Sequence, residues 1–485
     1  MQKKRYSFFS SNAPITCFFI EVTTMRHARI LTALASLSLL TAGCSRDTQS
    51  TGSPWDVREG DEVPPGSPDQ DVVEDMVEEM GAPPANDMDN IPDANPGGVD
   101  MSPTVEDMKG MPLPPIPVCL TPPPKHVFDA ISRHTFGVTI ALGPGGCPHI
   151  AYLERADMPS AFYAKYAYWD GKTWVEEKVP YEETHHHLDM IVDASGGVHI
   201  VLGPADSAGI VWLERKRDGT WTQQLIIEEW PWGLSLDRTS DDRLALLAYT
   251  ADGKNSDANM TSRHFVLEDG QWRGSIINEN RQGGYYRNAE AHYPGGDEVI
   301  VPLTQCCDRA RDPEAGLRLV HGTLSSPDGW THELIETEQA VGASRARVVK
   351  VGQTTHILAA RAAGLPMVAG FDLHHFTNRD GTWLEEKIGN RGYSPESLWA
   401  DSSGNLHALI GDESYDNDLR VAQLVYGVYK GEAWEFRTLE PFYILGTRMR
   451  WDDERGIPHI LTFTAESPDD DKYDYKLTYF ALEDL

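Results

Sequence analysis

Three sets of residues in this 485-residue sequence have side chains suited to chemistry. The first is histidine: His149, His199, His356, His407 and His459 recur in similar surroundings. A general base serves one place, so a histidine that recurs with a repeat reads as internal hydrogen bonding, not as a catalyst. The second set does not repeat. It comprises His185, His186 and His187, Trp230 and Trp232, Tyr285, Tyr286 and Arg287, Arg345 with Arg347, Tyr393, Tyr443 and Arg448. Aromatic rings offer flat apolar surface with a polar tip, and guanidinium groups offer planar donors, so this set suits a glycan or an extended peptide. The third set is carboxylates. Glycoside chemistry uses two of them about 5–9.5 Å apart, and Asp189, Glu290 and Glu396 are candidates to face a common channel. No nucleophile elbow, phosphate loop or zinc-protease motif occurs.

Metal chemistry is weakly supported. Neighbouring residues of an extended segment point to opposite faces, so at most two of His185, His186 and His187 converge. No cysteine or carboxylate completes a zinc set at a recognisable spacing. Acidic residues crowd two loops, Asp412, Glu413, Asp416 and Asp418 in one and Asp469, Asp470 and Asp471 in the next. Calcium is the hard cation such loops would take, but no twelve-residue calcium-loop pattern is present. They read as solvated loops, and no metal or cofactor is expected.

The elements that must position these residues are repeats. One unit reads VDASGGVHIVL at 192–202, ADSSGNLHALI at 400–410 and WDDERGIPHIL at 451–461, with a variant LGPGGCPHIAY at 142–152. A second unit is an aromatic strand, a tight turn and a tryptophan, as in YAYWDGKTW ending at Trp174 and FTNRDGTW ending at Trp383. The tryptophans Trp174, Trp221, Trp272, Trp330, Trp383 and Trp434 are spaced 47, 51, 58, 53 and 51 residues apart. Four short antiparallel strands per unit of about 50 residues are expected of a propeller blade. The Asp-Gly pair suits the hairpin into the fourth strand, because glycine tolerates positive φ. Residues 119–485 hold seven such units, and the tryptophans read as packing between blades. We expect an all-β, seven-bladed β-propeller, although a miscounted weak unit would give six or eight blades. The last unit lacks its fourth strand, and an open sheet edge must be covered. The segment at 119–131, with Val127 and Phe128, is the candidate to close the ring.

The Asp-x-x-Gly-x-x-His and Trp-Asp-Gly-x-x-Trp units resemble repeat proteins of myxobacteria and their relatives. The Asp-Gly-x-Trp turn also looks like a shortened Asp-box of sialidase-like and fucose-lectin-like propellers. That resemblance implies carbohydrate contact. Fold alone does not imply function.

Charge divides the rest of the chain. Residues 1–44 carry net +4, 45–118 net −14 and 119–485 net −22, for −32 in all. No basic footprint exists to neutralise phosphates, which argues against nucleic acid. Arg26 and Arg29 precede an apolar run, Ile30 to Leu40, of signal-peptide length. It ends Leu40-Thr41-Ala42-Gly43-Cys44, which resembles the lipobox of bacterial lipoproteins. The resemblance implies lipidation, with palmitate among the acyl groups, at Cys44 as the mature N-terminus. Met25 is then the expected start. Ser45 follows the cysteine, which in enteric lipoproteins favours the outer over the inner membrane. Residues 45–118 contain 13 prolines, 17 acidic residues and one aromatic, Trp55. Such a segment buries too little apolar surface to offset its ordering entropy, so it is expected to be a disordered linker. Four cysteines remain beyond Cys44: Cys119, Cys147, Cys306 and Cys307. An even set in an oxidising compartment suggests disulfides. Cys119–Cys147 is the preferred pair, since it would pin the closing segment to the first blade. A vicinal Cys306–Cys307 bond would then remain.

The expected function is a membrane-tethered ligand-binding propeller of the cell envelope, non-catalytic, with a carbohydrate or other envelope ligand. The alternatives are a protein-interaction scaffold in an envelope complex and, third, a glycoside hydrolase or lyase.

Overall fold

The computed structural model describes residues 116–128, 137–155, 162–181, 185–204, 207–253, 260–280, 290–305, 316–335, 343–362, 371–379, 381–389, 393–416, 419–441, 443–465 and 475–483. They form seven four-stranded antiparallel sheets, each a blade. Blade 1 is β2 (Val138–Leu142), β3 (Pro148–Arg155), β4 (Phe162–Trp169) and β5 (Trp174–Lys178). Blade 2 is β6 (His185–Val192), β7 (Val198–Pro204), β8 (Ile210–Arg215) and β9 (Trp221–Ile227). Blade 3 is β10 (Trp230–Arg238), β11 (Leu244–Ala251), β12 (Met260–Glu268) and β13 (Gln271–Asn280). Blade 4 is β14 (His292–Gly295), β15 (Glu298–Gln305), β16 (Gly316–Thr323) and β17 (Ser326–Leu334). Blade 5 is β18 (Ala343–Val351), β19 (Thr354–Ala362), β20 (Phe371–Arg379) and β21 (Thr382–Lys387). Blade 6 is β22 (Tyr393–Ala400), β23 (Leu406–Asp416), β24 (Leu419–Tyr429) and β25 (Trp434–Pro441). Blade 7 takes β26 (Tyr443–Asp452), β27 (Ile457–Ala465) and β28 (Tyr475–Ala481) from the end of the chain, and β1 (His126–Phe128) from before blade 1. The propeller therefore has seven blades, and both ends of the described chain meet in one of them.

β1 pairs antiparallel with β28, Val127 opposite Thr478. Phe128 is buried beside Tyr152 and Trp174 of blade 1. A disulfide joins Cys119 to Cys147 in the β2–β3 turn, with Cα atoms 5.1 Å apart. The N–H of Cys119 also donates to the carbonyl of Gly145 at 3.0 Å.

The repeated residues hold the blades together. Each tryptophan at the outer strand packs on the blade before it. Trp221 meets Tyr166, Trp272 meets Trp212, Trp330 meets His264 and Trp434 meets His375, all edge-on. Trp174 meets Tyr479 of blade 7, which carries the pattern across the closure. The recurring histidines sit inside their blades. His407 lies with Nε2 3.3 Å from the Asp401 carboxylate and Nδ1 2.6 Å from the hydroxyl of Tyr426. His199 reaches Asp193 at 3.0 Å, and His149 and His459 reach Tyr166 and Tyr479 at 2.5 and 2.8 Å. Each aspartate also accepts backbone N–H groups of its own turn, which Gly196 (φ 82°) and Gly404 (φ 84°) allow to close. The second strand of every blade is the apolar centre: Ile200, Leu246, Ile300, Ile357 and Ile460 are fully buried. Each such side chain contributes about 1.5–3 kcal/mol of burial.

Among the described residues no helix is long and apolar enough to cross a membrane. The signal segment, Cys44 and the linker as far as residue 115 lie outside the described residues.

Candidate functional site

The first strand of each blade borders the axis, so its inner backbone edge has no strand to pair with. Side chains on the adjacent first strands fill that need. Thr139, Asp189, Ser235, Arg347, Ser397 and Arg448 pair with Ala151, Val201, Leu247, Leu358, Leu409 and Leu461. In each case the partner is the residue two beyond the repeat's histidine position. Glu290, just before β14, supplies the corresponding residue for blade 4. One level around the axis is thus polar in every blade.

The bonds of this level link blade to blade. Thr139 donates to Asp189 Oδ1 at 2.6 Å, and Asp189 Oδ2 accepts the N–H of Leu236 at 2.8 Å. His292 Nε2 accepts the N–H of Lys350 at 3.1 Å. Arg347 Nε donates to the Glu396 carbonyl at 2.9 Å and lies 3.5 Å from Glu290 Oε1. Arg345 binds the Glu396 carboxylate and, at 3.2 Å, the hydroxyl of Ser394. Ser397 accepts the N–H of Met449 at 3.2 Å. Arg450 Nε donates to the Ile140 carbonyl at 3.0 Å while its guanidinium lies over Trp399. These contacts are structural: they satisfy the free inner edges. Among the described residues, none of them joins the first strands of blades 3 and 4.

That gap opens on a small cavity with room for about one water molecule. Thr139, Asp189, Asp237, Glu290, Ser397, Arg448 and Arg450 are in its wall. Three of these have bonding capacity left over. Among the described residues, Asp237 accepts one hydrogen bond, the N–H of its neighbour Arg238 at 2.8 Å. Among the described residues, Glu290 makes its one ion pair with Arg347. Arg448 donates to the carbonyl of Thr447 at 3.2 Å and makes no ion pair among the described residues.

The electrostatics separate the two carboxyls. Protein surrounds both, although each keeps some surface toward the cavity. Burial pushes Asp237 up to about 6; Asp189 and Glu290 add to the rise, and Arg450 opposes it. Burial also pushes Glu290 up, but Arg347, Arg448 and Arg450 outweigh it and hold Glu290 below the usual carboxylate range. Asp189 is raised, again chiefly by burial.

The candidate ligand residues divide between the described and undescribed parts. His186, His187, Trp230, Trp232, Tyr393 and Tyr443 lie where the first strands of blades 2, 3, 6 and 7 begin. They belong to the strands and not to the loops before them. His186, Trp232 and Glu396 are the extra residues of β-bulges in β6, β10 and β22, a feature that re-aims side chains. Trp232 packs partly into the cluster between blades 3 and 4, with Tyr249 and Val301. Arg345 is held by Glu396, whereas Arg448 faces the cavity. The side chains of His186, Tyr393 and Tyr443, and all of Tyr285, Tyr286, Arg287, Cys306 and Cys307, lie outside the described residues. Among the described residues no three His, Cys, Asp or Glu side chains are placed to hold a metal ion. Asp237 and Arg450 were not among the candidates read from the sequence. Their signal was available in the register: aligning the first hairpin of every blade puts charges where most first strands carry apolar side chains.

No family model matches the chain, and no curated protein matches it. Solved structures do. An ulvan lyase, a polysaccharide lyase bound to -[GlcA(1-4)Rha3S]-, is 11% identical over 73% of this chain and 95% of its own, with a TM-score of 0.46. Virginiamycin B lyase from Staphylococcus aureus is 13% identical over 74% and 99%, with a TM-score of 0.43. An alpha-L-arabinofuranosidase from Fusarium graminearum is 16% identical over 59% and 91%, with a TM-score of 0.38. Similarity at this level does not extend to activity.

Proposed function

We propose that this protein is an extracytoplasmic binding propeller, anchored by lipid at Cys44 and held off the membrane by the linker 45–118, that receives a carbohydrate at its axial cavity. One observation carries this reading. After the inner-edge bonds are counted, Asp237, Glu290 and Arg448 keep unused acceptors and donors on one cavity wall. Adjacent sugar hydroxyls pair with such a set, donating to carboxylates and accepting from a guanidinium. The lipobox-like sequence supports placement in the envelope, at the outer membrane.

The test is binding of the full chain, in detergent, to a glycan array and to purified cell wall, with and without calcium. A saturable sugar hit is expected. A blank on both would overturn the carbohydrate reading. A stoichiometric envelope partner in a crosslinking pulldown would replace it with the scaffold reading.

A further inference from the structure

Away from the axis, the outer strands depart from the repeat at one place. The residue two beyond the outer tryptophan is Glu176, Gln223, Gly274, His332 and Glu385 in blades 1 to 5, polar or bare in each. Three of these are used within the ring: Glu176 accepts the hydroxyl of Tyr152 at 2.7 Å, His332 Nε2 donates to the Ile277 carbonyl at 3.2 Å and Glu385 is bound by Arg361. In blade 6 the position is Phe436, which is 39% exposed and lies outside the buried clusters on either side of the blade. Its ring is parallel to that of Trp434 within 4°, with centroids 5.9 Å apart. Face-to-face contact needs about 3.5–4 Å, so neither ring covers the other. Both rest on bare backbone of β24, because a Cβ on Gly427 would lie 2.8 Å from Phe436 and 3.2 Å from Trp434. Trp434 is fixed in place: its Nε1 donates to His375 Nδ1 at 3.1 Å, and Tyr429 packs against it. The facing wall belongs to blade 5. Across β20 and β21, His375 pairs with Glu386 and Thr377 with Leu384, and paired residues share a face. His375 meets Trp434, so Leu384 and Glu386 stand on the side of blade 5 that faces blade 6. Leu384 is 56% exposed, and Glu386 is exposed as well.

We propose that the outer seam of blades 5 and 6 is a polysaccharide site, in which the sugar rings of an uncharged glycan lie on Trp434 and Phe436. It is separate from the axial cavity and shares with the reading above only the class of ligand. A sugar ring has an apolar C–H face and a rim of hydroxyls. The two parallel rings offer flat apolar surface to the first, and the Glu386 carboxylate accepts from the second. The ring spacing is about the length of one sugar residue in an extended chain, so neighbouring sugars have one ring each. A protein side chain of the same polarity would be left with one covered face and a carboxylate at its edge, an arrangement that suits a sugar better. Residues 119–485 are strongly acidic, and Glu386 adds to that charge at the seam, so uronate and sulfate sugars are repelled.

The experiment is co-sedimentation of the full chain, in detergent, with cellulose and chitin, and affinity electrophoresis through xylan. Binding to at least one of the three is expected, and binding to heparin is not. Phe436→Ala should weaken that binding about tenfold or more while leaving the urea midpoint close to wild type, because the ring is exposed. Phe436→Tyr keeps the flat face and should hold affinity within a few fold. Phe436→Leu keeps the apolar character without the ring and should lose affinity as the alanine variant does. A Phe436→Leu protein that binds like wild type would make the contact a general apolar one and overturn the site. So would a Phe436→Ala protein that binds like wild type, or a wild type that ignores all three polysaccharides. Arg448→Gln, measured beside them, keeps the two readings apart. Binding to these polysaccharides that falls with Arg448→Gln and not with Phe436→Ala overturns the rim site and supports the axial one. Binding that falls with Phe436→Ala and not with Arg448→Gln supports the rim site.

Discussion

Arg450 in the last blade donates its Nε–H to the carbonyl of Ile140 in the first, at 3.0 Å. The bond spans 310 residues of sequence and crosses the seam where the ring closes. The same guanidinium lies over Trp399 and holds Asp237 lower than burial alone would leave it. Arg450→Met should therefore have two effects. Losing a charge-assisted bond costs about 1–3 kcal/mol, read as a lower midpoint in urea. The Asp237 pKa should rise above about 6, read by infrared titration. A midpoint unchanged from wild type would show that the seam does not depend on this contact.

The second seam contact is covalent. The Cys119–Cys147 disulfide closes a loop of 28 residues around β1. On the chain-entropy account such a loop contributes about 3–4 kcal/mol. Cys119→Ser with Cys147→Ser should lower the melting temperature, and reductant should lower the wild type to the same value. If reductant leaves the wild type unmoved, the bond is not stabilising the ring.

Acid should loosen the blades before their carboxylates protonate. Burial lowers His149 and His375 to about 3 and His264, His292 and His356 to about 4. An unfolded histidine titrates near 6.5, so below that pH the unfolded chain binds more protons than the folded one. Stability is then complete above about pH 6.5 and falls as pH drops toward 4. Asp452, held at about 2 by its hydrogen bonds against burial, adds to the loss only below about pH 4. Urea midpoints should fall steadily from pH 7 to pH 4.5, and His356→Gln should flatten that slope. A flat midpoint across this interval would contradict buried neutral histidines.

The ring itself was legible because its devices are local. Asp-Gly before a tryptophan sets the outer hairpin, as at Gly171 with Trp174, and the tryptophan period counts the blades. The missing fourth strand of the last unit pointed to Val127 and Phe128, which do pair with β28. The site was much less legible. Asp237 and Glu290 are 53 residues apart, and what distinguishes them is convergence at the axis. Bulges also move the alternation: Glu396 is an extra residue between Pro395 and Ser397, so counting by twos along β22 misplaces every side chain before it. Thr139, Ser235 and Ser397 carry no chemical signal at all until the register shows them at one level with Asp189 and Arg347.

Arg345 and Arg448 looked alike in sequence, and the structure separates them. Arg345 is bound by the carboxylate of Glu396, whose side chain is 10% exposed, and by Ser394. Arg345→Gln leaves that carboxylate without its cation and should cost about 1–2 kcal/mol, reduced from the value for a fully buried pair because Arg345 is itself part-exposed. Sugar affinity should hold within a few fold. Arg448 has no ion pair among the described residues and lines the cavity. Arg448→Gln should leave the urea midpoint within about 0.5 kcal/mol of wild type and weaken sugar binding about tenfold or more, the worth of one charge-assisted hydrogen bond. Measuring both quantities on both variants separates wall from scaffold. If Arg345→Gln loses affinity while Arg448→Gln does not, the ligand meets the propeller at Arg345 and Glu396 and not at the axial cavity.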